Sequence, residues 1–199
     1  MTPLYGPNLN EVKEIKIEDY VFDFFSGKDT IKSENRYGRK EKTMSGEDRA
    51  RMQTALQEAQ KALAEGEIPV GAALYRGDSL LWADHNRREQ LHDPTAHAEM
   101  LCLRHGAMAK GDWRLKDCTL YVTLEPCPMC AGAMVMSRVG RCVFGAGDPE
   151  MGCCGSVYDL PADPALHSAT VWEQDPDREA YVKLLAEGFR SVRGQHPDI

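Results

Sequence analysis

The chain has 199 residues, of which 42% are hydrophobic and 28% are charged, the composition of one ordinary globular domain with a short appendage. No run approaches the roughly 18 to 20 apolar residues of a membrane span, and the N-terminus lacks a signal-peptide pattern, so we expect a cytoplasmic protein with no membrane partner. The net charge of −7 predicts no global attraction to a polyanion, so any contact with nucleic acid must come from a local patch. Seven cysteines, an odd number, favour metal ligation and reduced thiols over a disulfide framework.

Residues 1–43 differ in pattern from the rest and predict an N-terminal extension, with a single domain over residues 44–199. The extension contains a turn-like start, a short apolar patch over 15–25 and a polar, charged run over 28–42. One interpretation is a flexible or cloning-derived leader. The alternative is a docking arm whose cluster at 20–22 packs on a partner or on the domain itself.

From Ser45 onwards the predicted elements alternate between helix and strand. Ser45 with Asp48 resembles an N-terminal cap, and apolar residues then recur at helical spacing up to Gly66. Two apolar runs, 68–75 and 79–84, flank a tight turn and predict a β-hairpin, which a polar loop over 85–94 follows. The remaining elements are, in order, helix 95–106, strand 119–124, helix 128–138, strand 141–146 and a last helix after Pro176. This alternation predicts an α/β domain.

Two short motifs carry the chemistry. Residues 97–99 read His-Ala-Glu, and residues 126–130 read Pro-Cys-Pro-Met-Cys. His97, Cys127 and Cys130 are ligand types that suit Zn²⁺, and three protein ligands leave the fourth tetrahedral position open, as catalytic rather than structural zinc sites do. The two cysteines flank the start of a predicted helix, where the helix dipole favours thiolate and hence metal binding.

Glu99 is the candidate proton shuttle. In the first turn of a helix, His97 and Glu99 can both reach past the helix end, the imidazole to a metal and the carboxylate to a water molecule beside it. This spacing is the known signature of zinc deaminases. The alternative is a closed structural site with a fourth ligand from Cys102, Cys153 or Cys154, in which Glu99 would have no role.

Longer segments resemble a known family. Residues 92–99 (HDPTAHAE) and 119–134 (TLYVTLEPCPMCAGAM) resemble the tRNA-specific adenosine deaminases of the cytidine deaminase superfamily, and residues 68–72, 137–140 and 155–159 extend the match. The resemblance covers residues 45–160 closely and the C-terminal stretch loosely, but not residues 1–43. It implies a cytidine deaminase-like three-layer α/β fold with a five-stranded mixed sheet and helices on both faces. It also implies a homodimer whose interface borders the active site.

The resemblance further implies hydrolytic deamination at a site with one Zn²⁺ per chain. His97, Cys127 and Cys130 would be the metal ligands, Glu99 the catalytic proton shuttle, and Asn86 a substrate-binding residue. Asn86 also fits a capping or turn amide. The expected reaction converts the wobble adenosine of a tRNA anticodon to inosine and releases ammonia.

Other functions stay open at this stage. The rivals are deamination of a free base or nucleoside, a non-catalytic zinc-binding partner subunit, and the structural zinc module. The net charge of −7 counts against tRNA, although a dimer could concentrate its few arginines around each pocket, namely Arg87, Arg88, Arg104, Arg138 and Arg141. A single-stranded anticodon loop would let its target base flip out at little cost.

Several further residues have plainer interpretations. Cys102, Cys118 and Cys142 lie in or beside apolar elements and are expected to be core thiols. Asp148 follows a glycine-rich turn and is expected to be a turn residue. The adjacent Cys153 and Cys154 have no basic neighbour in the sequence, so we expect no redox role for them.

Overall fold

The structure, a computed structural model, describes residues 44–195. The predicted extension, residues 1–43, lies outside the described residues, so the predicted domain boundary stays a prediction. The helices are α1 (Gly46–Ala64), α2 (Arg88–Leu91), α3 (Ala98–Lys110), α4 (Pro128–Ser137) and α5 (Glu179–Gln195), and a 3₁₀ turn spans Pro164–Leu166. The strands are β1 (Gly71–Arg76), β2 (Ser79–His85), β3 (Cys118–Leu124), β4 (Arg141–Ala146) and β5 (Val171–Gln174). No helix in this range is long and apolar enough to cross a membrane.

The five strands form one mixed sheet in the order β2-β1-β3-β4-β5. β1 is antiparallel to both β2 and β3, whereas β3, β4 and β5 run parallel to one another. Because β3 and β4 are parallel neighbours, the segments that leave their carboxyl ends emerge at the same edge of the sheet. The segment after β3 carries Cys127 and Cys130, so this topology places the candidate ligands at that edge.

Helices cover both faces of the sheet. A side chain at Gly71 would lie 2.2 Å from the backbone of Ala55, so this face of β1 packs directly on α1. Leu74, three residues further along β1, faces the opposite side and packs on Gly106 of α3. Buried side chains from both faces form the core, which includes Met52, Leu120, Tyr121 and Leu185. The cytidine deaminase-like three-layer arrangement is therefore confirmed.

The predicted elements all exist, and their differences from the prediction have physical reasons. α3 begins at Ala98 and continues past Gly106 to Lys110, because Gly106 serves close packing on Leu74 rather than helix termination. A short helix, α2, lies inside the predicted polar loop. The sequence pattern does not indicate β5, since this strand has only four residues and pairs with β4 alone.

Candidate active site

Two helix N-termini hold the three predicted ligands. His97 occupies the N-cap position of α3 in extended conformation, and Cys127 does the same at α4, where Pro128 starts the helix. Neither side chain bonds its own helix end, so both are available to the site. Cys130 lies in the first turn of α4 and is fully buried. His97 and Cys127 thus stand at the helix starts, and their roles as ligands stay a prediction.

The three side chains converge with a separation that suits zinc. His97 Nδ1 lies 3.7 Å from Cys127 Sγ and 3.6 Å from Cys130 Sγ, and all three ligand atoms lie within 4.8 Å of one another. Ligand bonds of about 2.0 to 2.3 Å in a tetrahedron place such atoms about 3.5 to 3.8 Å apart. Across residues 44–195, no fourth histidine, cysteine or carboxylate joins the cluster. The donor set therefore fits a zinc ion with an open fourth position.

One member of the cluster, Cys127, already favours the deprotonated state that a metal ligand requires. Hydrogen bonds from Cys130 and His97 outweigh burial and lower the pKa of Cys127 to about 4. The thiol of Cys130 donates to that thiolate, which raises the pKa of Cys130, and the same thiolate raises the pKa of His97. A divalent cation bound here would therefore find one thiolate in place and would displace the proton of the Cys130 thiol.

Glu99 lies buried beside this cluster. Its side chain is 3% exposed, and burial raises its pKa to about 7. Its Oε2 atom makes no hydrogen bond to the part of the chain that the structure describes. A buried carboxyl oxygen without a partner is costly for stability, so its retention beside three metal-binding side chains points to a chemical role.

A backbone hydrogen bond connects the segment of Asn86 to the segment of His97. The amide N–H of Arg87 donates to the carbonyl of Ala96, and this bond joins the segment of Asn86 to that of His97. The side-chain amide of Asn86 donates to Glu67 at 2.9 Å, across 19 residues of sequence. Asn86 therefore does not act as a local turn amide through this group, and its role in substrate binding stays a prediction.

The sequence analysis did not single out two buried glutamates near the predicted site. Glu67 and Glu125 are both 2% exposed, and both carboxylates accept hydrogen bonds from segments that border the site. Their sequence positions could have indicated that they are buried, because Glu67 precedes the Ile-Pro-Val run and Glu125 lies between an apolar strand and Pro126. A charged residue inside such a run is rarely buried without a partner.

The plainer interpretations agree with the structure. Cys102, Cys118 and Cys142 are buried in the core. The Asp148 carboxylate accepts from the backbone N–H groups of Glu150 and Met151, as a turn residue does. Cys153 and Cys154 are buried, and burial raises the pKa of Cys153 to about 11, which favours the protonated thiol.

Comparison with known proteins identifies the family. The cytidine and deoxycytidylate deaminase zinc-binding region matches residues 45–146. A tRNA-specific adenosine deaminase of Bacillus subtilis is 50% identical over 148 residues, which are 74% of this chain and 91% of that protein. This chain belongs to the tRNA-specific adenosine deaminase family. It is thus a zinc-dependent hydrolytic deaminase.

Further relatives agree with this membership. A tRNA-specific adenosine deaminase of Aquifex aeolicus is 41% identical over 142 residues, covering 71% of this chain and 93% of that one. A solved structure from work on A-to-I editing by tRNA:A34 deaminases at the wobble position superposes with a TM-score of 0.66 at 35% identity. That comparison covers 68% of this chain and 99% of the other. Family membership thus rests on sequence and fold together.

Proposed function

We propose that this deaminase hydrolyses the wobble adenosine of a tRNA anticodon to inosine and releases ammonia. The observation that carries the reaction type is the unpartnered, buried Oε2 of Glu99 beside three converging zinc-binding side chains. The substrate class comes from the relatives, which are named for tRNA-specific adenosine deamination and for editing at position 34.

In this proposal His97, Cys127 and Cys130 hold one Zn²⁺. When bound, zinc acts as a Lewis acid that makes a water molecule nucleophilic near neutral pH. The carboxylate of Glu99 takes a proton from the water whose oxygen bonds to C6 of the adenine. Glu99 then returns a proton to the exocyclic nitrogen, the bond from C6 to that nitrogen breaks, and ammonia leaves.

Asn86 binds the flipped base in this proposal. It is 6% exposed and its segment is bonded to the residue before His97, so a base that reaches the zinc cluster meets the Asn86 amide. An anticodon loop is single-stranded, so the wobble base can leave its stack at little cost.

The basic residues that could contact phosphates are fewer than the sequence suggested. Arg141 forms two hydrogen bonds with the carboxylate of Asp48 and a further ion pair with Glu173. Arg87 is paired with Asp84 at 2.8 Å. These pairs engage Arg87 and Arg141 within the chain, whereas Arg88, Arg104 and Arg138 are exposed. Few phosphate contacts predict modest affinity that falls with salt.

The proposal includes a cytoplasmic homodimer. α4, which carries two of the ligands, also presents Met136 with 76% exposure, and Met151 and Tyr158 are exposed on the loop after β4. Apolar side chains exposed so near a site support an interface that borders it. Light scattering on the full chain tests this state: the proposal expects twice the chain mass of 22.2 kDa.

The test of the reaction is inosine formation in an anticodon stem-loop with adenosine at the wobble position. The matched control is the same stem-loop with guanosine there, run beside ammonia release from free adenine, guanine, cytosine and their nucleosides. We expect inosine only in the adenosine stem-loop. Rapid turnover of a free base with an unchanged stem-loop would move the function to the free-base rival, and no turnover of any substrate would favour the non-catalytic subunit.

A further inference from the structure

Glu67 lies in the connection between α1 and β1, outside the zinc cluster, yet its buried carboxylate reaches the proposed substrate contact. Its Oε2 accepts from Nδ2 of Asn86 at 2.9 Å, and its Oε1 accepts from the backbone N–H of Gln90 at 2.8 Å. Gln90 belongs to α2, the short helix that follows Asn86. One carboxylate therefore anchors both the Asn86 side chain and the helix beside it.

These two bonds fix the orientation of the Asn86 amide. A carboxylate can only accept hydrogen bonds, so the NH₂ group of Asn86 must face Glu67 and its Oδ1 must point away. The amide thus pairs with Glu67 through Nδ2, which leaves Oδ1 on the side away from that carboxylate. Without the Glu67 carboxylate as its partner, the asparagine amide could rotate by half a turn with almost no change of shape. The amide atom that faces away from Glu67 would then be the donor Nδ2 instead of the acceptor Oδ1.

We infer that Glu67 is a positioning residue that holds Asn86 with its amide oxygen available as the hydrogen-bond acceptor for the target base. This inference rests on the proposed function, because the contact between Asn86 and the base is part of that proposal. Glu67 itself touches no substrate. It acts by selecting one of two amide orientations, and hence the donor and acceptor pattern that a base must match.

The substitution Glu67→Gln tests this directly. A glutamine side chain has one acceptor oxygen for two donors, and the backbone N–H of Gln90 cannot become an acceptor. The oxygen of the introduced amide must then face Gln90, its NH₂ faces Asn86, and the Asn86 amide turns over to accept. The nitrogen of the Asn86 amide would now point to the base. We expect kcat/KM on the wobble-adenosine stem-loop to fall about 10-fold to 100-fold, the effect of one mispaired hydrogen bond.

A second set of variants distinguishes an activity loss caused by the orientation of the side chain at position 86 from one caused by lower stability of the fold. In Asn86→Asp two carboxylates face each other, and activity falls. In the double variant Glu67→Gln with Asn86→Asp, the glutamine NH₂ donates to the aspartate, which again offers an oxygen to the base. We expect the double variant to be at least about 10-fold more active than Asn86→Asp alone. Glu89→Gln, a change of an exposed glutamate on α2, is the matched control and should keep wild-type kcat/KM.

All variants are purified as full chains, checked for zinc content, and assayed well below the lowest Tm of the set. An unchanged kcat/KM for Glu67→Gln, or a double variant no better than Asn86→Asp, would overturn the inference. The second comparison remains decisive if Glu67→Gln alone does not fold. A wild-type enzyme that leaves the stem-loop unedited would instead refute the proposed function, so the two failures are distinguishable.

Discussion

We expect substitution of Glu125 to lower the stability of the fold, because its buried carboxylate forms hydrogen bonds that join the loop after β4 to the segment with the cysteine ligands. Its Oε1 accepts from the backbone N–H groups of Cys154 at 2.8 Å and Ser156 at 3.0 Å. Its Oε2 accepts from the N–H of Asp148 at 3.0 Å and from the hydroxyl of Ser156. Gly152 packs so closely on this carboxylate that a side chain there would strike it.

The effect of Glu125→Gln follows from these four donors. The glutamine oxygen would take the Oε1 position, where two backbone N–H groups need an acceptor. Its NH₂ would take the other position, where the Ser156 hydroxyl can rotate to accept but the N–H of Asp148 loses its partner. One orphaned donor and a lost charge-assisted bond cost about 2 to 4 kcal/mol. Burial raises the pKa of Glu125, so the charged carboxylate carries a desolvation penalty that a neutral glutamine avoids, and this offsets part of the loss in stability. We expect a net loss of about 2 kcal/mol.

The assay is denaturant and thermal unfolding of the zinc-loaded protein with matched metal content. A loss of about 2 kcal/mol corresponds to a fall in Tm of about 4 to 8 °C for a domain of this size. Glu150→Gln changes an exposed glutamate in the same loop and should stay within about 0.5 kcal/mol of wild type. If Glu125→Gln is equally neutral, the carboxylate does not hold the loop and the reasoning is wrong.

Three further predictions concern charge, metal and chain length. Burial alone would raise the pKa of Asp48, but hydrogen bonds from Arg141 and Tyr121 outweigh burial and hold this pKa below its usual range. The stabilising effect of the ionised carboxylate is therefore present above about pH 4 and is lost as the pH falls further. Asp48→Asn should therefore unfold at lower urea than wild type at pH 7, with a gap that narrows below about pH 4. His97→Ala and Cys130→Ala should each lose both zinc and activity, as metal analysis and the stem-loop assay will show. Deletion of residues 1–43 should leave a folded, zinc-loaded, active domain; loss of activity at unchanged Tm would support a docking arm.

Local sequence patterns were enough to predict most elements and the three side chains that converge in the structure. The cap at Ser45, confirmed by its bond from the N–H of Asp48, and the apolar spacing of α1 are local features. The position of His97 and Cys127 at helix N-termini follows from residue types within a few positions of each. The residue types and their short spacing were therefore sufficient to predict the candidate zinc site.

Long-range pairing explains what could not be predicted. Glu67 meets Asn86 across 19 residues, and Glu125 meets Ser156 across 31, so neither partner is visible in a local pattern. β5 exists through its pairing with β4 rather than through its own propensity. The sequence alone makes Arg141 a candidate for phosphate binding, because its partners, Asp48 and Glu173, lie 93 and 32 residues away.

The most direct test of the account is the Glu99→Gln variant, assayed for zinc and for single-turnover inosine formation in the wobble-adenosine stem-loop. Glutamine keeps the size of the side chain but cannot carry a proton between water and the leaving nitrogen. General acid and base catalysis contributes about 10² to 10⁴ to rates, so we predict about one zinc per chain and a rate at least about 100-fold below wild type. A Glu99→Gln enzyme that forms inosine at the wild-type rate would contradict the central claim.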